Sequence, residues 1–339
     1  MKPDEIKKHE DEFFSTLTTN KKKFTLKQTT DIGNNIKIYS IRPSYSSYYH
    51  ATQTKKKSIC LHFTVGYIKS DISTLTQEDN HVSVSYVVDR SGRIYELFPD
   101  TDWSFHLGKD AIGKNEDMSK QSIGIEISNY GPLTLYGNQL KTIYPAKAEL
   151  KDRDTYCEAS ETEFYYKHSY KGYDYYASMT DIQTEAVAAL IKYLSRKHNI
   201  PMNFMESDRA FASAKEATSF KGIFYHTNVR SDKYDWPYGP ALKAVIAACS
   251  NELPNKVESK PDATKTEIKN EEPLPEVKPE TPPEQQSQPQ PTQQQETKVE
   301  PKPATKPAPT TSQANSSTGK KSFIQAIIEF IMQLFGKKK

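Results

Sequence analysis

An α/β domain, joined through a disordered tether to a short apolar and cationic helix, is the architecture this sequence predicts. Three observations carry it. Short apolar runs ending in turn residues recur between residues 36 and 127, an amphipathic helix follows from about residue 180, and the composition changes abruptly after Cys249. The net charge of +3 over 339 residues is near balance, so no nucleic-acid partner is expected. Cys60, Cys157 and Cys249 are widely spaced and form no C-x-x-C pair, which fits folding in a reducing compartment.

Residues 1–34 are polar and lysine-rich, with one weakly amphipathic segment from Ile6 to Leu17, and read as a surface arm or short helix. Their start lacks the continuous apolar stretch of a secretory signal, so cytoplasmic synthesis without a signal peptide is expected. No run of about 18 apolar residues exists to form an ordinary membrane-spanning helix.

The main domain spans residues 35–250. Ile36 to Ile41 reads as a first strand, and KKKSICLHFTVG as a second that is apolar from Ile59 and ends near His62. Binding sites in open α/β sheets lie at the carboxyl ends of strands, which makes His62 a candidate metal ligand. Taken alone it fits a buried histidine bonded to backbone as well. VSVSYVVDRSGRIYELFP follows, two β-rich runs joined at Asp89-Arg90-Ser91-Gly92 as a hairpin. Trp103 and His106 come next in a turn-like context; His106 either lines a substrate cleft or satisfies a local backbone group.

In QSIGIEISNYG the isoleucines 123, 125 and 127 alternate with Gly124, Glu126 and Ser128. Period two puts Glu126 on the opposite face, where it is either a general base toward a metal-activated water or a solvated strand carboxylate. From Pro132 to Tyr176 the chain reads as a long irregular excursion crowded with tyrosine, suited to contacting sugar or peptide and equally to anchoring itself.

Thr180 with Gln183 forms a capping box opening the clearest helix, whose apolar face is Ile182, Ala186, Val187, Leu190, Ile191 and Leu194. A second helix is predicted over about 208–219 and a last one over 240–249. Between them lies FYHTNVRSDKYDWPYG, a short strand ending at His226 with Lys233 and Asp235 seven and nine residues later. An imidazole nitrogen with a carboxylate oxygen is a common partial ligand set for zinc, and His62 supplies the third protein ligand.

Residues 251–319 contain no aromatic residue and are dominated by Pro, Gln, Lys, Glu and Thr, which cannot bury enough apolar surface to offset ordering entropy. They read as a disordered linker. Residues 320–339 hold KKSFIQAIIEFIMQLFGKKK, in which Gln325, Glu329 and Gln333 form a narrow polar stripe on an otherwise apolar helix bracketed by lysines. Its apolar length of about 20 Å falls short of the roughly 30 Å hydrocarbon core. The expectation is an interfacial helix touching a membrane surface through 322–336, with docking on a partner protein or on its own domain as alternatives.

In order along the chain, strand-end His62, the hairpin VSYVVDRSGRIYELF, FHLG at 105–108, SIGIEISN and H-x8-D with a lysine two before the aspartate form a set. This set resembles the zinc N-acetylmuramoyl-L-alanine amidases shared by phage endolysins, bacterial cell-wall amidases and peptidoglycan recognition proteins. The resemblance covers roughly residues 35–250. It implies a mixed central β-sheet flanked by helices and a groove for a glycan-linked stem peptide. It also implies His62, His226 and Asp235 as Zn2+ ligands, Glu126 as the activator of water and Lys233 as the stabiliser of the developing oxyanion.

Two positions depart from the family pattern. Val84-Ser85 stands where relatives often carry a histidine or tyrosine, leaving Tyr86, His81 and His106 as candidates to compensate. The loop ends K-Y-D-W-P, which leaves Asp232 as an alternative ligand to Asp235, although the offset from the lysine favours Asp235. With Tyr86, Trp103 and His106 as candidate substrate contacts, the expected function is hydrolysis of the amide between N-acetylmuramic acid and L-alanine by an endolysin or exported cell-wall-lytic effector. A non-catalytic peptidoglycan-binding module of the same fold with a membrane-active tail is the second expectation.

Overall fold

The computed structural model describes residues 2–17, 23–236 and 239–250. The expected linker over 251–319 and terminal helix over 320–339 lie outside the described residues, as does Pro237. The chain opens with α1 (Pro3–Leu17), β1 (Thr25–Asp31) and β2 (Lys37–Arg42). β3 (Ser58–Phe63), α2 (Ile68–Leu75), β4 (Tyr86–Val88) and β5 (Ile94–Glu96) follow, then α3 (Asn115–Gln121) and β6 (Ser122–Ile127). β7 (Pro132–Tyr136), β8 (Gln139–Thr142), β9 (Thr155–Glu158), β10 (Tyr165–Tyr170) and β11 (Tyr173–Ala177) come before α4 (Asp181–His198). α5 (Ala214–Ser219), β12 (Gly222–Tyr225), α6 (His226–Val229) and α7 (Pro240–Ser250) complete it.

Seven strands form one sheet in the order β1-β2-β5-β4-β6-β3-β12. It is mixed, with antiparallel pairs β1/β2 and β4/β5 and parallel pairing through β4, β6, β3 and β12. The parallel centre is covered on both faces, which is why SICLHF is buried along its whole length. On one face Ile59, Leu61, Ile123, Ile125, Ile127, Ile223 and Tyr225 pack with Val187, Leu190, Ile191 and Leu194 of α4 and Leu242 and Val245 of α7. Each such buried aliphatic side chain contributes on the order of 1.5–3 kcal/mol. Cys60 and Phe224 point to the other face, into a cluster with Leu107, Met118, Phe211 and Val229.

The segment expected as an arm or short helix is built into the domain. α1 buries Ile6, Phe13 and Leu17, and β1 pairs along β2. Glu10, fully buried, accepts hydrogen bonds from the Arg90 and Ser91 amides at 2.8 and 3.0 Å and from the Ser91 hydroxyl at 2.7 Å, capping the β4–β5 turn. That turn is where Gly92 takes φ +78°.

The tyrosine-rich excursion is not irregular. It forms a second, antiparallel sheet in the order β10-β11-β7-β8-β9. β10 and β11 mix tyrosine with charged and polar residues, a pattern that fills a half-buried face without long apolar runs. On α4, Thr180 accepts from the Gln183 amide as expected, but the Gln183 side chain does not return to the cap. It donates instead to Val88 and Ser128 carbonyls at 3.2 and 3.1 Å, tying the helix to the sheet. Ile182, predicted on the apolar face, is 54% exposed.

Candidate metal centre

The parallel register sets the site. His62 stands opposite Glu126 across β3/β6, and Tyr225 opposite Leu61 across β12/β3, so the next residue, His226, falls level with His62. His62 and Glu126 project from the face opposite α4 because their neighbours Leu61 and Ile125 occupy the α4 face. α6 starts at His226 and its fully buried Asn228 fixes the junction, accepting from the Tyr225 amide and donating to the Glu206 and Arg209 carbonyls, each at 2.7 Å. The loop then folds back so that the Thr227 amide donates to the Asp235 carbonyl at 3.1 Å.

Three side-chain atoms converge. His62 Nδ1 and His226 Nδ1 are 3.0 Å apart, and Asp235 Oδ2 lies 3.5 Å from the first and 3.3 Å from the second. Ligand atoms about 2.0–2.1 Å from a tetrahedral zinc sit about 3.3 Å from one another, so the triangle has the dimensions of three zinc ligands.

The hydrogen bonds behind these atoms decide what they present. The Ser122 hydroxyl donates to the Met118 carbonyl at 2.6 Å, so its oxygen accepts from His106 Nε2 at 2.9 Å. His106 Nδ1 is then an acceptor, taking the proton of His62 Nε2 at 3.0 Å. His62 is left with a lone pair on Nδ1. His226 reaches the same state because its Nε2 donates to the Leu107 carbonyl at 3.0 Å. Two imidazole lone pairs and a carboxylate oxygen facing one another at these distances repel unless a cation lies between them, and the residues fit zinc.

The electrostatics agree. Burial lowers His226 to about 4, keeping it neutral, and lowers His106 well below the usual range. A second trio, Cys60 with His62 and His106, lies nearby. Burial drives the Cys60 thiol well above its usual pKa, and a protonated thiol is a poor ligand, so the chemistry favours the first trio.

Glu126 is half-buried, and its Oε2 has no hydrogen-bond partner among the described residues. Burial, then Asp235 and Asp71, push its pKa well up, partly opposed by Lys233. Burial lowers buried Lys233 to about 8, partly offset by Asp235. The Glu126 carboxyl and the Lys233 amine thus lie within electrostatic range of each other and of Asp235.

Asp232 is elsewhere, bound to Arg230 through both carboxylate oxygens at 2.7 and 2.6 Å. The three expected substrate contacts do not line an open wall. Tyr86 is on the α4 face of β4, paired with Ile125, and donates to Asp100 Oδ2 at 2.9 Å. Trp103 is buried in a stack with His50, ring centroids 4.0 Å apart, with Lys120 Nζ 4.9 Å from its ring. His106 supports His62 from inside, and Gly124 makes room for it: a Cβ there would lie 3.2 Å from His106 Cγ and 2.7 Å from Val84 Cγ1. Of the three candidates to compensate for Ser85, His81 stacks on His50 and Tyr86 faces α4, leaving only His106 against the trio. Ser122 and Leu107, whose hydroxyl and carbonyl set the histidine tautomers, lie in the runs SIGIEISN and FHLG, but nothing in the sequence marks them for that role.

The family model for N-acetylmuramoyl-L-alanine amidase matches residues 50–237. Among solved structures, PlyL is 14% identical, with 63% of this chain and 98% of that one covered at a TM-score of 0.35. AmiD from E. coli, solved with anhydro-N-acetylmuramic acid-L-Ala-D-gamma-Glu-L-Lys, is 18% identical, covering 64% and 65% at 0.35. AmiA from Staphylococcus aureus, solved with its ligand, is 13% identical, covering 62% and 82% at 0.36. No match is found among curated proteins. With more than half of its length matched by one family model, and with a mixed helix-flanked sheet, this chain belongs to the N-acetylmuramoyl-L-alanine amidase family.

Proposed function

We propose that the chain is a zinc-dependent peptidoglycan amidase that hydrolyses the bond between the lactyl carbonyl of N-acetylmuramic acid and the nitrogen of L-alanine. The observation that carries this reading is the convergence of His62 Nδ1, His226 Nδ1 and Asp235 Oδ2 at 3.0–3.5 Å beside the unpartnered Glu126 Oε2. Family membership supplies the substrate class.

His62, His226 and Asp235 would hold the ion. Bound there, zinc supplies a water of pKa about 7 and a Lewis acid for the carbonyl oxygen. Glu126 takes the proton of the attacking water and passes it to the departing L-alanine nitrogen as the C–N bond breaks. Lys233, charged below a pH of about 8, opposes the negative charge growing on the carbonyl oxygen. His106 and Ser122 keep the His62 lone pair aimed at the ion. The products are the free lactyl carboxylate and a stem peptide beginning with L-alanine. An endolysin or exported cell-wall-lytic effector, made in the cytoplasm and acting on the wall after release or export, is the role this activity suits. Membrane contact by residues 322–336 is a companion proposal.

The test is digestion of purified peptidoglycan by the full chain, with mass analysis of released fragments. Stem peptides with a free L-alanine amine, lost on chelation and restored by zinc, are expected. Stoichiometric zinc binding without release would overturn the hydrolase reading in favour of a binding module.

A further inference from the structure

We infer that the tip of the β10–β11 hairpin, Tyr170 to Tyr173, is a clamp that holds the loop 226–236 in its ligand-presenting shape, with Lys171 as a positioning residue for Asp235 and Lys233. The inference rests on the zinc reading of that loop. Between Arg230 and Trp236 the loop has neither helix nor strand. Its own backbone bonds include Thr227 to Asp235 and the Lys233 amide to the Arg230 carbonyl at 3.3 Å. A coordination triangle needs its members held to about 0.5 Å, and so sparse a loop needs support from outside.

The hairpin supplies it at two places. Lys171 Nζ donates to the Ser231 carbonyl at 2.7 Å and also to the Lys233 carbonyl. Tyr173 packs edge-on against Tyr234, beside Asp235, with ring centroids 5.8 Å apart; Phe63 stacks on the same ring at 6.1 Å. The contacts fall on Lys233, on Ser231 two residues before it and on Tyr234, the neighbour of Asp235. The turn is shaped for this reach: Lys171 and Gly172 both take positive φ, +47° and +85°, while Tyr170 and Tyr173 pair across it. Lys171 spends a left-handed backbone position and a charged side chain on two carbonyls of a different element.

The second sheet therefore acts on the metal centre through this tip. Because the tip touches the loop's backbone and flanking side chains, its loss should misplace the ligands and Lys233.

The test compares the full chain with Lys171→Met, Lys171→Arg and Lys167→Met. Lys167 lies on the same hairpin against Tyr175 and serves as control. Zinc affinity is measured by chelator competition, the Co2+-substituted protein by its visible absorption, and residues 226–236 by amide exchange. Lys171→Met is expected to weaken zinc about tenfold, in the range typical of groups that orient ligands. It should also change the Co2+ spectrum, speed exchange across 226–236, and lower kcat with KM unchanged. Lys171→Arg, which still donates to two carbonyls, should restore most of this, and Lys167→Met should change nothing. Unaltered affinity and exchange in Lys171→Met would overturn the clamp. If the unmodified chain binds no zinc, the amidase reading fails instead, while amide exchange still reports whether Lys171 holds the loop.

Discussion

His62 and Glu126 face each other directly across the parallel pair β3/β6, one a candidate nitrogen ligand and the other a carboxyl whose Oε2 has no hydrogen-bond partner among the described residues. A general base held on the same rigid sheet as a ligand keeps its distance to the reacting water without loop motion. Glu126→Gln preserves volume and removes the base. Turnover should fall by about 10²–10⁴-fold while zinc binding is kept, the range for losing a positioned acid–base group. Near-normal kcat in a zinc-loaded Glu126→Gln protein would remove Glu126 from the mechanism.

Among the described residues His106 is the side chain bonded to His62 Nε2, and it passes that bond to Ser122. His106→Phe fills the space above Gly124 but accepts no proton, so His62 is free to place its hydrogen on Nδ1. Zinc affinity should drop by about 10–100-fold, with Ser122→Ala showing a smaller loss in the same direction. Chelator competition measures both. Equal affinity in His106→Phe would mean that the tautomer is set by other contacts.

The residues on the central strands were legible because both faces of a parallel sheet are buried. SICLHF, SIGIEI and GIFY are short apolar runs with few polar residues. Strand-end position then singles out His62 and His226. The second sheet was hidden for the opposite reason: its tyrosines carry a hydroxyl and alternate with Lys167, Ser169 and Asp174, so neither an apolar run nor a clean period stands out. The Lys171-Gly172 turn between two tyrosine runs was the available hairpin signal. The role of His106 depends on a bond across 44 residues of chain and on the space left by Gly124, and no spacing rule encodes either. The face of Tyr86 could not be read without the register: pairing with Ile125 sends it to α4.

Asp235 and Asp232 are distinguished by their partners. Asp235 is buried among the two histidines, whereas the Asp232 carboxylate is largely exposed and paired with Arg230. Asp235→Asn should lose at least tenfold in zinc affinity, since a neutral amide oxygen replaces a charged ligand. Asp232→Asn should bind zinc as the unmodified chain does. A reversed order of the two affinities would assign the ligand to Asp232.

Asp71 on α2 ties together the ends of the two site-bearing strands. Its Oδ2 accepts from Thr64 Oγ1, just past β3, at 2.9 Å and from Ser128 Oγ, just past β6, at 2.6 Å. Burial, against the pull of those two hydroxyls, raises its carboxyl to about 7. A folded-state pKa above the unfolded value of about 3.9 means that the folded chain binds the proton more tightly. This contribution is complete below pH about 4 and is lost as pH rises through about 7. Asp71→Asn keeps the size and an acceptor oxygen but cannot ionise. Denaturant unfolding at pH 4, 5.5 and 7.5 should therefore show the unmodified chain losing up to a few kcal/mol relative to Asp71→Asn as pH rises, with the gap levelling off above about 7. A gap that does not change with pH would mean the Asp71 carboxylate is charged in the folded chain throughout. In that case the two hydroxyls hold a carboxylate rather than a carboxylic acid beneath His62 and Glu126, and its negative charge would add to the attraction of the site for a cation.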